Sequence, residues 1–408
     1  MAKIVGFRAI RPTRDKVHLV ATRPYYTYKS NVLKAKLEDN PFTFLHIINP
    51  EFGKANKTKP NSNERFLHVK EQFNRFLDEG ILKQDKEDIL YIYRQTKGDF
   101  SCIGVIAGSS IAEYDAGQIK KHEATLTSRE EMFTRYLEIV GFNAEPVLLT
   151  YQNNDDIAQF LRKKTNDRPE YEFSTTDKVK HELWCLATTE SDDLIQKFSS
   201  IDATYIADGH HRSASSARLH HLRDKESMNS STSYFLSFLV QENQIEIIEF
   251  NRLVKTLNHL SEEEFLLKLS MVGELIPMNE IRNPSKEHEI VVVLKNKAFS
   301  FFPLPKFIDL HHPVNSLDPE ILTQLILSPI LGIHDLKTSE ELVFSPGIES
   351  IDSVVEKINS EKYAVGFLLY PLSIQQVKRV ADNGMNMPPK STWVEPKLRS
   401  GLTIYPID

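Results

Sequence analysis

One short segment near the middle of the chain, Ala-Asp-Gly-His-His-Arg at residues 207–212, most constrains what the chain can fold into. The apolar run 204–207 has the composition of a buried strand, and the small residues of 213–222 can form a helix. Gly209 has no Cβ, so the backbone can turn sharply there. The sequence therefore predicts a strand, a tight turn at Gly209 and a helix that begins near Arg212.

The residues of this turn suit anion binding combined with proton transfer. A helix N-terminus presents N–H groups and the positive end of the helix dipole, and together these bind anions. Arg212 adds a permanent cation, while Asp208, His210 and His211 can exchange protons. Asp-Gly turns and His-His pairs also occur on ordinary surfaces, so the motif alone leaves a purely structural role open.

Composition narrows the class of protein. A chain of 408 residues that is 40% hydrophobic can form two or three domains, each with its own core. The formal charge of −6 argues against a general nucleic-acid-binding protein. Cys102 and Cys185 form no disulfide or metal-binding pattern, and no apolar run reaches the roughly 18 residues of a membrane span. We therefore expect a soluble, cytoplasmic protein with no membrane partner; the oligomeric state stays open.

Strand and helix signals are mixed along the whole chain. The runs 90–96 and 102–107 predict a β-hairpin, and 289–294 with 298–302 predict another. The alternation at 42–48 predicts a strand. Together these signals predict a mixed α/β (α+β) fold of largely antiparallel sheets with packed helices.

Two further local signals can be checked against the structure. Ser128 and Glu131 have capping-box spacing, which predicts a helix that runs to about Val140. A strand at 245–250 is predicted to end at the polar pair Asn-Arg at 251–252.

We expect three domains, each large enough for its own core. Residues 1–145 would form an N-terminal α+β domain, 146–260 a central domain with the 207–212 turn, and 261–408 a C-terminal α+β domain.

Two other polar segments are candidates for the same site. Residues 120–125 (Lys-Lys-His-Glu-Ala-Thr) combine charge with acid/base groups, and the alternative for them is a solvated approach to a helix. Residues 387–402 place cations beside hydroxyl groups, which suits a phosphate or carboxylate, and the alternative is a basic tail. The Gly-rich cradle of a P-loop is missing there.

These three segments, in this order, resemble those of the DUF1015 family over essentially the whole chain. The family name records an unknown function. Its members are often encoded near serine-biosynthesis genes, so the resemblance points to serine or phosphoserine.

The 207–212 turn is also similar to the phosphate-binding turn of the ParB/sulfiredoxin-like superfamily. This resemblance implies a core of that kind around residues 200–225. The superfamily includes CTP-binding partition proteins, ATP-using sulfiredoxins and free-serine kinases, in which an Asp-Gly-His turn binds phosphate and a carboxylate elsewhere acts as base. Sulfiredoxin chemistry is not expected here, because neither Cys102 nor Cys185 lies in the turn.

The leading hypothesis is a phosphoryl-transfer enzyme for serine or phosphoserine, a free-serine kinase or a phosphoserine phosphatase. His210 or His211 would act as general acid/base or as transient phosphate acceptor. Glu123 or Asp208 would accept a proton or hold Mg²⁺, and a kinase would also need ATP or ADP. Phosphate and substrate binding is assigned to residues from all three segments: His122, Gly209, Arg212, Lys390, Ser391, Thr392, Lys397 and Arg399.

Two alternatives stay open. One is a CTP- or ATP-binding switch related to partition proteins, against which the acidic charge and the lack of a clear basic helix-turn-helix weigh. The other is a metal-dependent hydrolase that uses His122, Asp208, His210 and His211. Adjacent histidines rarely bind one ion together, so no residue is assigned as a metal ligand.

Overall fold

The computed structural model describes residues 2–223 and 231–407, and both element types occur along its whole length. The strands are β1 (Ile4–Val5), β2 (Ile10–Pro12), β3 (Leu82–Gln84), β4 (Tyr91–Lys97), β5 (Phe100–Ser110), β6 (Ile119–Lys120), β7 (Phe142–Asn143), β8 (Val147–Tyr151), β9 (Tyr171–Ser174), β10 (Lys180–Cys185), β11 (Thr204–Asp208), β12 (Tyr234–Gln241), β13 (Glu246–Ile248), β14 (Phe250–Val254), β15 (Gly273–Met278), β16 (Ile290–Leu294), β17 (Lys297–Pro303), β18 (Leu342–Pro346), β19 (Val365–Leu368), β20 (Trp393–Glu395) and β21 (Tyr405–Pro406). The α-helices are α1 (Val17–Val20), α2 (Ser30–Asp39), α3 (Leu45–Ile48), α4 (Asn63–Asp78), α5 (Ile111–Asp115), α6 (Thr127–Val140), α7 (Asp155–Lys164), α8 (Thr188–Phe198), α9 (His210–Arg223), α10 (Glu262–Val272), α11 (Asp318–Leu322), α12 (Ile351–Asn359) and α13 (Ile374–Asp382).

The chain divides into two compact units. The first unit contains the residues up to Lys120, then Ala124–Ile245, and the C-terminal residues from Pro396 onward. The second unit contains Lys121–Glu123 and Glu246–Glu395. These two units describe which residues lie together in space, not which parts of the chain can fold alone. The expected division into three domains therefore stays a prediction.

A large mixed sheet organises the first unit. Its strand order is β6-β11-β8-β12-β5-β4-β10-β9, and β1 also pairs with β5. Strands β11 and β6 are parallel, as are β12 and β8, while the other neighbouring strands are antiparallel. Apolar residues of these strands are almost completely buried and form the core, among them Leu149, Trp184, Ile206, Phe235 and Leu239. Strand β11 lies inside this sheet: β6 pairs with its first residues, Thr204 and Tyr205, and β8 pairs with its end, where Leu148 lies opposite Asp208.

The C-terminal residues are held to the first unit by short backbone pairings. Strand β21 pairs with β7, and Gly401 N donates to the Ala144 oxygen at 3.0 Å. Gly401 has φ +76, and an added Cβ would lie only 2.5–2.9 Å from the ring and Cβ of Phe44. Only glycine fits this close approach without rearrangement, so residues 396–400 are held at a defined place in the unit.

A six-stranded antiparallel sheet, among the described residues, organises the second unit. Its order is β15-β17-β16-β19-β14-β18. Phe265 and Leu269 of α10 pack in the same apolar cluster as Val292 and Phe367 of the sheet. Strands β13 and β20 form a separate antiparallel ribbon. This ribbon fixes the chain that follows residues 387–392.

Capping residues and charges near the helix ends explain where several helices begin. Asn154 accepts from the Ile157 N–H at 3.0 Å and begins α7, which has acidic residues in its first turn and basic residues in its last. Ser373 begins α13 with a capping box. The Ser128–Glu131 prediction gave the right helix and the wrong cap: α6 begins at Thr127, after Leu126, with no side-chain cap.

The structure confirms the predicted mixed α/β fold with mostly antiparallel sheets. Both predicted hairpins are present, as β4–β5 and β16–β17. The strand predicted at 42–48 is wrong, because Leu45–Ile48 form a short helix that buries Leu45 and Ile47. A short apolar run has no decisive period, so tertiary packing selects between helix and strand.

Three further predictions concern membrane spans, the two cysteines and the core expected around residues 200–225. No helix within residues 2–223 and 231–407 is both long enough and apolar enough to cross a membrane. Both cysteines are free thiols, and Cys102 is buried. Residues 224 and 225, the last of the expected 200–225 core, lie outside the described residues.

Candidate active site at the start of helix α9

The central turn has the strand–turn–helix structure that the sequence predicts. Strand β11 ends at Asp208, Gly209 follows with φ +106, and α9 begins at His210, two residues earlier than expected. An added Cβ on Gly209 would lie 2.8 Å from Nη2 and 2.9 Å from Nε of Arg212. Glycine is therefore required both by the backbone and by the guanidinium packed against it.

The first turn of α9 places three candidate residues at a helix N-terminus. The Gly209 oxygen accepts from the N–H groups of Arg212 (2.9 Å) and Ser213 (3.1 Å), which closes the first helical turn. His210 is buried, whereas His211 and Arg212 are partly exposed. The N–H groups of such a turn and the helix dipole favour a negatively charged ligand at this end.

Four charged side chains form a connected cluster beside this turn. Arg212 Nη2 donates to Asp208 Oδ2 at 2.9 Å, and Arg212 Nη1 forms an ion pair with Glu145 Oε1. Lys397 Nζ lies 3.3 Å from the other oxygen of Asp208. Between 15% and 34% of each side chain is exposed. The cluster thus balances two cations against two carboxylates where water can reach them.

The sheet and the C-terminal segment bring these distant residues together. Glu145 lies just before β8, and β8 pairs with β11 with Leu148 opposite Asp208. Ser400 Oγ donates to Glu145 Oε2 at 3.2 Å. Two different regions therefore converge on the start of α9: the approach to β8 and residues 397–400.

Arg399 lies in a neighbouring network and does not contact the cluster directly. It is buried, and its Nη2 donates to both oxygens of Asp177, at 2.8 and 3.0 Å, and to Thr175 Oγ1 at 3.1 Å. Burial acts to raise the pKa of Asp177, but the Thr175 hydrogen bond and the Arg399 charge outweigh it and lower that pKa to about 2. Asp177 therefore stays ionised and anchors Arg399, next to Ser400.

A buried histidine completes this network. His181 Nδ1 is 2.7 Å from the Tyr93 hydroxyl, and Nε2 is 3.2 Å from Thr175 Oγ1. Burial, with a smaller contribution from Arg399, lowers the pKa of His181 to about 3. His181 is therefore a neutral hydrogen-bonding residue near neutral pH.

The other candidate residues belong to the second unit. The His122 oxygen accepts from the Met387 N–H at 2.8 Å, so two of the three sequence segments touch there. His122 is buried and Glu123 partly exposed. Lys390 is exposed, with Nζ 5.6 Å from the centroid of the Phe250 ring.

Within 387–392, the hydroxyl residues differ in their environment. Ser391 is buried, and its Oγ donates to the Pro388 oxygen at 2.7 Å, while Thr392 is partly exposed. The structure thus joins Asp208, Arg212 and Lys397 in the first unit, and His122 with the 387–392 segment in the second. That all three segments line one cleft stays a prediction.

Sequence reasoning missed Glu145 and Asp177. Neither stands in a recognisable motif, and the local signal for Glu145 is only that of an acidic residue just before the apolar run 146–149. As to metals, Asp208 and Glu145 offer the oxygen ligands that Mg²⁺ takes, but both already pair with Arg212. A magnesium ion would have to compete with those cations.

Solved structures provide distant matches. A free serine kinase in complex with AMP is 14% identical, covers 75% of this chain and 91% of its own, and has a TM-score of 0.38. A conserved hypothetical protein from Pyrococcus furiosus is 14% identical over 74% of this chain and 94% of its own, with a TM-score of 0.37. SbnI from Staphylococcus aureus, truncated at its C-terminus, is 12% identical over 74% and 87%, with a TM-score of 0.40. At this level of similarity, shared function does not follow.

Comparison at the sequence level gives the family. No protein of curated function matches the chain. The model of the family described as "Protein of unknown function (DUF1015)" matches residues 4–320, which includes the 120–125 and 207–212 segments and ends before 387–402. Since this match covers more than half of the 408 residues, the chain belongs to the DUF1015 family.

Proposed function

We propose that this protein transfers a phosphoryl group to or from a small hydroxyl metabolite and binds the phosphate at the start of α9. The observation that carries the proposal is the contact of Arg212 and Lys397 with the two oxygens of Asp208, at 2.9 and 3.3 Å. Phosphoryl transfer needs mainly positioning and neutralisation of negative charge. Two cations and a helix N-terminus are suited to both tasks.

Phosphate binding would proceed by exchange of ion-pair partners. A phosphate monoester has a charge of roughly −2 near neutral pH and accepts paired hydrogen bonds from a guanidinium. It would replace a carboxylate as the partner of Arg212, which now pairs with Asp208 and Glu145. If the displaced carboxylate is Asp208, its Oδ2 loses Arg212 while its Oδ1 keeps Lys397, and Oδ2 would then be available as a proton acceptor beside the bound phosphate.

The same site serves either direction of transfer. In a kinase, the metabolite hydroxyl attacks the γ-phosphorus of ATP, ADP leaves, and Asp208 accepts the hydroxyl proton. In a phosphatase, water attacks the phosphorus and gives its proton to Asp208, the ester P–O bond breaks, and His210 or His211 protonates the departing alkoxide. Magnesium would enter with the nucleotide in the kinase direction. Glu123 remains the alternative base, and E123Q tests it in the same assays.

Serine and phosphoserine are the substrate pair that we propose. We choose this pair because the 207–212 turn resembles that of the free-serine kinases and because members of the family are often encoded near serine-biosynthesis genes. A thermal-shift screen of serine, phosphoserine, ATP, ADP, CTP and Mg²⁺, singly and in pairs, tests the choice, because a ligand that binds only the folded state raises the melting temperature.

Each outcome of the screen has a distinct meaning. Stabilisation by phosphoserine alone supports a phosphatase, and stabilisation by ATP or ADP together with serine supports a kinase. CTP alone would support a nucleotide-dependent switch instead, and Mg²⁺ alone would support a metal-dependent hydrolase. Release of phosphate from phosphoserine, or transfer from ATP to serine, is then followed by phosphorus NMR.

Arg212→Ala tests the site itself. Loss of a charge-assisted hydrogen bond should weaken binding of the phosphorylated ligand by roughly 1.5–3 kcal/mol, or about 10- to 150-fold. Arg218→Ala is the matched control, because Arg218 lies on the same helix in an exposed ion pair with Glu131. Unchanged affinity in the Arg212 variant, measured by titration calorimetry, would remove Arg212 from the site.

A further inference from the structure

The second unit contains a buried cation that is not balanced by any carboxylate of the described residues. Arg252 lies in β14 and is completely buried. Its Nη1 donates to the Phe250 oxygen at 2.6 Å, its Nη2 is 3.5 Å from the Pro389 oxygen, and its guanidinium lies 4.6 Å from the centroid of the Phe344 ring. The Nε atom has no hydrogen-bond partner among the described residues, and no described carboxylate forms an ion pair with the guanidinium.

A buried charge of this kind is unfavourable for folding unless something compensates it. Two carbonyl groups and an aromatic face solvate the guanidinium in part, yet burial still lowers the pKa of Arg252 to about 9. Buried charges in proteins are normally paired. The Pro389 oxygen is the one of these contacts that lies outside the sheet, since Phe250 and Phe344 belong to β14 and β18.

The backbone at that position offers unused donors. Residues 388–392 form a turn in which Lys390 has φ +55. The N–H groups of Lys390 and Thr392 have no acceptor among residues 2–223 and 231–407, whereas Ser391 turns back toward the Pro388 oxygen. Backbone N–H groups next to a left-handed residue form the concave arrangement that binds anions. The turn is fixed at both ends, by the Met387–His122 hydrogen bond and by β20.

We propose that the 388–392 turn binds a phosphate group, which contacts the N–H groups of Lys390 and Thr392 and the Lys390 ammonium, while the buried Arg252 guanidinium beside the Pro389 oxygen adds positive charge. A phosphate dianion matches the two cations in charge and offers three acceptor oxygens, whereas a carboxylate has a single charge and two oxygens. The proposal develops the expectation that Lys390, Ser391 and Thr392 bind phosphate, adds Arg252 as a buried cation, and rests on the geometry of the second unit, so it can fail or hold separately from phosphoryl transfer.

A tryptophan beside the turn can report binding. The chain has two tryptophans, and Trp393 directly follows the turn, with its ring 5.9 Å from that of Phe250, the same ring that Lys390 contacts. The full-length protein is titrated with inorganic phosphate at constant ionic strength while tryptophan fluorescence is measured. The expected change is saturable and absent from W393F.

Four variants test the roles of the two cations. K390A and R252M should each weaken the phosphate-dependent signal about tenfold or more, the scale of a charge-assisted hydrogen bond, whereas R252K should retain most of it. K306A is the matched control, since Lys306 lies over the Phe307 ring much as Lys390 lies over Phe250. In phosphate-free buffer, R252M should melt no lower than the wild type, because it removes an unbalanced buried charge.

The outcomes separate this site from the one in the first unit. R212A tests phosphoryl transfer in the first unit, and K390A tests the Trp393 signal, so each proposal is judged by its own variant and its own readout. If K390A binds phosphate as tightly as K306A, or if the signal persists in W393F, the proposal is wrong. Should R252M fail to fold, K390A and R252K still decide the question.

Discussion

Replacing Gly209 with alanine tests the geometry of the α9 site most directly. Gly209 has φ +106, where an L-residue is strained by roughly 1–2 kcal/mol. The new Cβ would lie 2.8 Å from Arg212 Nη2, about 0.7 Å inside the roughly 3.5 Å of an ordinary van der Waals contact. The guanidinium therefore has to move by several tenths of an ångström.

This displacement acts on the group that we propose holds the phosphate. A paired hydrogen bond between guanidinium and phosphate requires both nitrogens in place, and a misplacement on the scale of 1 Å costs up to about 100-fold. We expect phosphoserine or orthophosphate affinity at this site to fall about 10- to 100-fold in Gly209→Ala. The free energy of unfolding should fall by roughly 1–2 kcal/mol, because the chain still folds around a strained turn.

Gly117→Ala is the matched control. Gly117 has φ +74, so alanine there is also strained, but nothing lies within 4 Å of its added Cβ. Urea denaturation should show a loss of stability in both variants, and titration calorimetry should show a loss of affinity in Gly209→Ala alone. Equal phosphate affinities in the two variants would refute the argument that the position of Arg212 controls binding.

Two further predictions concern carboxylates of the first unit. Glu145→Gln should raise phosphate affinity about three- to tenfold in calorimetry, because one competitor for Arg212 loses its charge; weaker binding would show that Glu145 mainly positions Arg212. Asp177→Asn should cost about 1–2 kcal/mol of stability at pH 6, because the folded-state pKa of Asp177, about 2, lies below its ordinary value of 3.8. This contribution is present above pH 4 and is lost as pH falls toward 2, so a difference in urea midpoint that stays constant from pH 6 to pH 2 would contradict it.

Much of the local structure could be predicted because its causes are local. The apolar run before Asp208, the glycine and the small residues after it specify a strand, a turn and a helix, and the structure has all three. The hairpin of β4 and β5 follows from two strand-like runs separated by a short polar turn. In each case the decisive residues lie within about twenty positions of one another.

The partners of the site could not be predicted, because sheet topology decides them. Glu145 reaches Arg212 only because β8 lies beside β11, and Lys397 is 189 residues from the Asp208 that it contacts. Arg252 was expected at the end of a strand, yet it lies inside β14 and is completely buried. Polarity alone does not show whether a charged residue points to solvent or into a sheet.

The balanced charges at the start of α9 would couple phosphate binding to proton transfer. A site of bare cations would attract phosphate, but it would have no group ready to accept a proton. Here each cation pairs with a carboxylate, so a phosphate that takes over Arg212 also releases a base next to itself. If that exchange operates, phosphate binding and activation of the attacking hydroxyl are one event. It also explains why Arg212→Ala and Glu145→Gln are expected to change phosphate affinity in opposite directions.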